Sequence, residues 1–210
     1  MKPYKLKLKS VIGIVGLLSL VIFSIVLVLL GEADFKHIGE TLLHYGYIIA
    51  PVSILWVSLD SYFWHTKLFQ SIRESLNIPP DLRGRWEGTL ENADGSQPQK
   101  FVIEVKQTLT SIRVHSFSSI ANSTSILTEI ASDSHEEHFL LGYLWQGEIS
   151  TSMKEMHQGE VFHGYTMLNL HEHEKPRLLQ GSYFTNRKGN QTRGGIQLRW
   201  TSHELKKRFE

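Results

Sequence analysis

The stretch KFVIEVKQ at residues 100–107 decides the secondary-structure class of most of the chain. Phe101, Ile103 and Val105 fall on one face of this stretch, and the alternate positions are mostly polar. Successive side chains of a β-strand point to opposite sides, so a period of two predicts a strand with one buried face.

Similar short runs follow one another to the end of the chain, separated by turn-forming sequences such as ADGS at residues 93–96. No helical segment lies between them, which favours a sandwich or an up-and-down barrel. About eight strands close into an antiparallel β-barrel that is filled by side chains or holds one small ligand. A short polar helix is predicted at residues 203–209. The predicted strands are 83–92, 100–107, 111–118, 124–132, 138–148, 160–171, 177–187 and 191–201.

The first and last predicted strands contain a Gly84-x-Trp86 pattern and Arg199. This arrangement resembles that of lipocalins, in which a first-strand tryptophan is covered by a last-strand arginine at the closed end of the barrel. One interpretation is therefore that Arg199 covers Trp86 through a cation–π contact. The alternative is that Arg199 contacts a ligand directly.

Positive charge is concentrated near the end of the chain. Between Glu174 and Glu204 there are six lysines and arginines and no acidic residue, although the whole chain has a net charge of only +1. This local excess of positive charge suits an anionic ligand, because the planar guanidinium group of arginine binds a phosphate through two hydrogen bonds. The alternative is a solvated outer face, which we favour for Lys175, Arg177 and Lys188.

Tyr183, Thr185 and Arg187 stand at every second position of one predicted strand and therefore share a face. They offer a ring that stacks on a base, a hydroxyl and a guanidinium group, so they are the first candidates for a ligand-binding wall. Stacking on an aromatic ring contributes about 1–3 kcal/mol per base. The alternative is that Tyr183 packs in the core. Further candidates on other strands are Arg113, Trp145, Tyr165, Arg193 and Arg199.

The N-terminal part of the chain contains two apolar runs. Residues 11–30 are twenty consecutive residues without a charge, and residues 45–64 form a second run with aromatic ends. A helix of about 20 apolar residues crosses a bilayer, so we expect a membrane protein with two N-terminal transmembrane α-helices. Lysines and arginines flank the outer ends of both runs, and the positive-inside rule then places both termini in the cytoplasm.

The consecutive prolines at residues 79 and 80 end the helical part of the sequence. The predicted domains are therefore a transmembrane anchor with a short cytoplasmic stalk at residues 1–78 and a cytoplasmic β-barrel at residues 80–210.

Several function classes lack support in the sequence. The chain has no cysteine, and it lacks the GxSxG, Walker and GxGxxG motifs, so we expect no catalysis. The HEEH and HEHE sequences at residues 135–138 and 171–174 resemble metal sites by spacing. A strand separates the histidines and glutamates of the second one onto opposite faces, and we expect no metal. The near-neutral net charge argues against DNA or RNA as a partner.

The order of these pieces resembles the two-transmembrane β-barrel effectors of CBASS, the bacterial cyclic-oligonucleotide-based anti-phage signalling systems. The most specific parts are LRGRWEGTL at residues 82–90, LQGSYFTNR at 179–187 and GGIQLRW at 194–200. The resemblance implies that the barrel binds a cyclic dinucleotide made by a partner nucleotidyltransferase. The protein then oligomerises in the inner membrane and disrupts it before phage mature, without a cofactor. It also makes Tyr183, Thr185 and Arg187 ligand-wall positions.

Two other functions compete with this one. A membrane-tethered, lipocalin-like carrier of an apolar molecule needs no arginines, so the basic terminal strands disfavour it. A membrane-bound enzyme is disfavoured by the missing catalytic motifs.

Overall fold

The structure, a computed structural model, describes residues 13, 16–19, 21, 22, 25, 38–71, 78–132, 139–149, 161–186 and 191–209. The chain divides into two compact units, Lys5–Pro79 and Pro80–Glu210, the second together with the first four residues.

The larger unit is a closed barrel of eight antiparallel strands, in which each strand pairs with the next and β8 pairs with β1. The β-barrel part of the predicted fold is therefore present, and the predicted strand boundaries are within three residues of those observed. The strands are β1 (Gly84–Asn92), β2 (Gln99–Gln107), β3 (Ile112–Ser118), β4 (Ala121–Ser132), β5 (Phe139–Ile149), β6 (Val161–His171), β7 (Leu178–Asn186) and β8 (Arg193–Ser202).

The barrel interior is apolar towards the end where β1 begins. Inward side chains from every second position interlock there, and Trp86, Ile103, Leu168, Leu179 and Leu198 are fully buried. Burying side chains of this size contributes about 1.5–3 kcal/mol each, which makes this half the stabilising core of the domain.

Arg177, rather than Arg199, closes this end of the barrel, so the solvated outer position expected for Arg177 is wrong. The guanidinium carbon of Arg177 lies 5.4 Å from the ring centroids of both Trp86 and Trp200, and its Nη1 donates a hydrogen bond to the Asp81 carbonyl at 2.6 Å. Arg199 instead is exposed on the outer face of β8. The predicted contact between Arg199 and Trp86 is not found, because Arg199 alternates with the inward Leu198 and so points outwards.

The predicted helix at residues 203–209 is also wrong, since these residues have no helical structure. The backbone N–H groups of Lys206 and Lys207 donate to the Glu104 carboxylate at 2.8 and 3.1 Å. Arg85 donates to the carbonyls of Arg208 and Phe209, both at 2.8 Å. These backbone groups bond to two side chains of β1 and β2, so they do not form the hydrogen bonds of a helical turn.

The prediction of two N-terminal transmembrane α-helices is wrong. In the described residues one helix alone, α1 (Ile38–Ser61), has seven or more residues, and none is both long and apolar enough to cross a membrane. Helix α1 overlaps the second apolar run but contains Glu40, Pro51 and Asp60, which lower its mean hydropathy. A 3-10 turn (Phe63–His65) and a short α2 (Lys67–Ser71) follow it. Most of residues 11–30 lies outside the described residues.

Candidate ligand-binding site

The end of the barrel opposite Trp86 holds a cavity of about 170 Å³, which we call the cup. It lies where β1, β3, β5 and β7 end and where the other four strands begin. Leu90, Phe101, Trp145, Phe162 and Ile196 are among its apolar lining residues. Its hydroxyl and amide side chains belong to Asn92, Gln99, Ser116, Ser118, Asn122, Ser123, Thr166, Tyr183, Thr185 and Thr192.

Tyr183 spans the rim of the cup. Its hydroxyl donates a short hydrogen bond to the Asn92 side-chain oxygen, although β8 lies between β7 and β1. Gly194 stands opposite both residues in the strand register, and a Cβ atom there would lie 1.7 Å from the Glu91 carbonyl oxygen. A glycine at this position lets the two strands approach closely and leaves the path of the Tyr183 ring free.

The Tyr183 hydroxyl stays protonated over the physiological pH range. Burial raises its pKa above the ordinary value of 10.0, a hydrogen bond with Thr192 opposes that effect, and the negative charge of Asp94 adds to the rise. The phenol is therefore a neutral hydrogen-bond donor at the rim.

Thr185 lies two residues after Tyr183 on β7, and its hydrogen bonds to Thr192 hold the residue that precedes β8. Its hydroxyl is 2.9 Å from that of Thr192, and its backbone N–H donates to the Thr192 carbonyl at 2.8 Å. Tyr183 and Thr185 thus share the interior face of β7. Arg187, the third member of the predicted wall, lies outside the described residues.

The floor of the cup combines aromatic rings with buried hydroxyls. Trp145 donates from Nε1 to the Thr166 hydroxyl at 3.0 Å and meets Phe162 edge-on at 5.8 Å. Tyr143 lies below with 1% of its surface exposed, and burial raises its pKa above 10.0 against the opposing effect of the Ser116 and Thr166 hydroxyls. Within the described residues its hydroxyl makes no hydrogen bond of good geometry. This floor therefore offers both stacking surfaces and polar groups.

The cup walls are electrically neutral in the part of the chain that the structure describes. Lys100 is the one lining residue with a charge there, and its ammonium group lies 5.5 Å from the Phe209 ring, outside the barrel. In the same residues, no group of three or more histidine, aspartate or glutamate side chains is arranged to bind a metal.

Of the eight predicted site residues, the structure brings Trp145, Tyr183 and Thr185 together at the cup. Four others are on the outer face: Arg113, Arg193 and Arg199 are exposed, and Tyr165 packs against Phe184 with ring centroids 5.8 Å apart.

The alternation of side chains along the strands could have predicted that these residues face outwards. Arg193 and Arg199 occupy the strand positions between inward residues such as Ile196 and Leu198, and Tyr165 alternates with Phe162 and Leu168 in the same way. Asn92, Gln99 and Thr192 were missed, because they stand at strand ends where alternation carries little signal.

A closed barrel with one sealed apolar end and one polar cup belongs to the class of small-ligand-binding barrels. Residues 77–200, from just before β1 into β8, match the family model of the Cap15 cyclic dinucleotide receptor domain. The chain therefore belongs to the Cap15 family of CBASS effectors, as the sequence resemblance indicated, and it carries a receptor for a cyclic dinucleotide. No individual curated protein matches the chain.

Proposed function

We propose that the cup is the cyclic dinucleotide site, and that ligand binding makes the chain oligomerise and disrupt the bacterial inner membrane during phage infection. The observation that carries the site assignment is the mixed lining of the cup, with rings at its floor and hydroxyls and amides at its rim. Membership of a cyclic dinucleotide receptor family supports the ligand class.

The volume of the cup determines how much of the ligand it can hold. At about 170 Å³ it is smaller than typical pockets for drug-sized ligands, which begin at about 300 Å³. A cyclic dinucleotide therefore enters only in part, with one base against the floor and the remainder at the rim. Stacking on Trp145 or Phe162 contributes about 1–3 kcal/mol per base.

The polar groups of the cup suit the rest of the ligand. Asn92 and Gln99 have both amide donors and carbonyl acceptors, which match the edge of a base, and the hydroxyls of Thr185 and Thr192 match ribose and phosphate oxygens. Arg187, directly after β7, remains the predicted cation for a phosphate. These polar groups, and not the outward-facing Arg193 and Arg199, are the proposed ligand contacts.

The same polar groups disfavour an apolar cargo. A hydrocarbon ligand would remove water from the rim hydroxyls and amides without replacing their hydrogen bonds, at a cost of about 1–3 kcal/mol for each group left unpaired. The lipocalin-like carrier is therefore the weaker alternative.

The membrane location and the loss of membrane integrity rest on the sequence and on the family resemblance. The uncharged run at residues 11–30 and the lysines before it support an inner-membrane protein. A receptor without catalytic motifs acts through a change of state, and a ligand shifts such an equilibrium by its differential affinity for the two states.

Thermal unfolding of the full chain in detergent, with a panel of cyclic dinucleotides, tests the ligand assignment. At a ligand concentration of about 100 times Kd, stabilisation is about 2.7 kcal/mol, equivalent to about 5–11 °C in Tm. Thr185→Ala should reduce the shift, and Arg199→Ala on the outer face should not. A panel without any shift would refute ligand binding, and equal shifts in both variants would move the site out of the cup.

The membrane step is tested with the same chain in liposomes that contain a fluorescent dye. We expect dye release on addition of the stabilising dinucleotide, together with a larger particle by light scattering. Ligand binding without either change would contradict the effector mechanism and leave the receptor assignment standing.

A further inference from the structure

The barrel has an incomplete seam between β3 and β4. These strands pair at three positions, from His115↔Thr124 to Phe117↔Asn122, whereas β4 pairs with β5 along its whole length. A bulge between Ser125 and Leu127 interrupts β4, and Val114 donates its backbone N–H to the Ser125 hydroxyl at 2.9 Å instead of to a carbonyl of β4. Beyond the bulge, β4 is therefore an edge strand on its β3 side.

This edge is exposed and apolar. Ile126 and Leu127 are 52% and 51% exposed, and with Ile112 and Tyr165 they line a groove of about 330 Å³, the seam groove. Within the described residues, no backbone group of β4 after the bulge bonds to β3. The segment ILTEIAS at residues 126–132 contains no lysine or proline, two of the residues that protect edge strands in natural proteins, and Glu129 is its one charged side chain.

We infer that the β4 edge is the surface through which two copies of this chain associate, by antiparallel pairing of β4 with its counterpart. An antiparallel pair of identical strands has twofold symmetry, so one exposed edge supplies both halves of the interface. The pairing also covers Ile126 and Leu127 and gives hydrogen-bond partners to the backbone groups of β4 that do not pair with β3. The inference rests on the oligomerisation proposed above and gives that step an interface.

Charge complementarity favours a second copy as the occupant. Arg113 on β3 and Glu129 on β4 are exposed beside the seam groove, and neither has an ion-pair partner among the described residues. A twofold arrangement of β4 edges brings Arg113 of each copy towards Glu129 of the other. An uncharged apolar partner would leave both charges unpaired.

Charge reversal in the full chain tests this interface. Self-association is measured by analytical ultracentrifugation with and without the dinucleotide that gives the largest thermal shift, or with protein alone if none does. Arg113→Glu and Glu129→Arg should each weaken association about tenfold, and the double variant should restore it. A retained thermal shift on ligand addition shows that each variant is folded, since both side chains are exposed.

Cysteine cross-linking gives a second measurement, because the natural chain has no cysteine. Single cysteines at positions 126–129 should yield a disulfide-linked dimer from at least one variant. Met167→Cys is the matched control, since Met167 is 41% exposed on the outer face of β6, and β5 separates it from the β4 edge.

The outcomes separate the interface from the effector mechanism. Ligand-driven oligomers that tolerate both charge reversals, or that cross-link at position 167 and not at 126–129, overturn the interface and leave the proposed function standing. A chain that stays monomeric under every condition overturns both. A monomer whose β4 edge is protected from hydrogen exchange would mean that another segment of the same chain covers it, which also overturns the inference.

Discussion

Glu104→Gln should destabilise the barrel far more than a surface substitution of the same kind. Arg85 and Glu104 face each other across β1 and β2 with a 2.9 Å Nη1–Oε1 distance, and each side chain is only 2% exposed. The Glu104 carboxylate also accepts the backbone N–H groups of Lys206 and Lys207. The substitution keeps the shape of the side chain and removes its charge.

The size of the effect follows from the partners that remain. Removing one member of a buried ion pair costs about 3–5 kcal/mol, because the other charge stays buried. Arg85 retains Glu87 at 2.6 Å, which is 29% exposed, so we expect the lower end, about 3 kcal/mol. For a chain of this length that corresponds to a fall in Tm of about 6–12 °C.

Thermal unfolding followed by circular dichroism at neutral pH measures this effect. Glu91→Gln, at an exposed glutamate of β1, is the matched control and should change stability by less than about 0.5 kcal/mol. Arg85→Met combined with Glu104→Leu should cost less than the sum of the two single changes, since it leaves no unpaired buried charge. Equal Tm values for Glu104→Gln and Glu91→Gln would refute the reasoning.

Three further predictions concern other parts of the barrel. Burial raises the pKa of the Asp81 carboxyl, but the hydrogen bonds from Arg83 and the charges of Arg83 and Arg177 together bring it below its ordinary 3.8. The hydrogen bond from Arg85 lowers the pKa of Glu87 below 4.5 against the smaller opposing effect of burial. The ionised Asp81 and Glu87 carboxylates stabilise the fold above their ordinary pKa values, and this stabilisation is lost as the pH falls through their lower pKa values in the folded state. Tm should therefore drop below about pH 4.5, and the drop should be smaller in Glu87→Gln. Tyr183→Phe should weaken ligand binding up to about tenfold in calorimetry, because it removes the phenol donor at the rim, and the lost hydrogen bond to Asn92 should lower Tm by about 1–6 °C. Arg177→Ala should cost about 1–2 kcal/mol in denaturant unfolding by removing its two ring contacts.

Local alternation made the barrel strands predictable. A period of two is a property of a few neighbouring residues, and in β7 it correctly placed Tyr183 and Thr185 on the interior face. The high number of arginines near the end of the chain led to a wrong prediction that Arg193 and Arg199 line the ligand site. The same alternation directs both side chains outwards.

The remaining errors came from contacts between distant parts of the chain. Residues 203–209 have a composition that suits a helix, but Glu104, about a hundred positions earlier, binds their backbone N–H groups. The β3–β4 ladder is likewise short because a bulge interrupts β4, and that bulge is defined by the pairing of β4 with both β3 and β5. Neither effect leaves a periodic signal in the sequence around it.

The pairing of β1 with β8 has a consequence for biosynthesis. The other ladders between the described strands join neighbours in sequence, so they can form while the chain is still emerging from the ribosome. The cup takes Leu90 and Asn92 from β1 but Ile196 from β8, and it is complete only when the last strand has left the exit tunnel. A nascent or prematurely terminated chain therefore lacks the complete cup, and a cyclic dinucleotide can bind there only after β8 has joined the barrel.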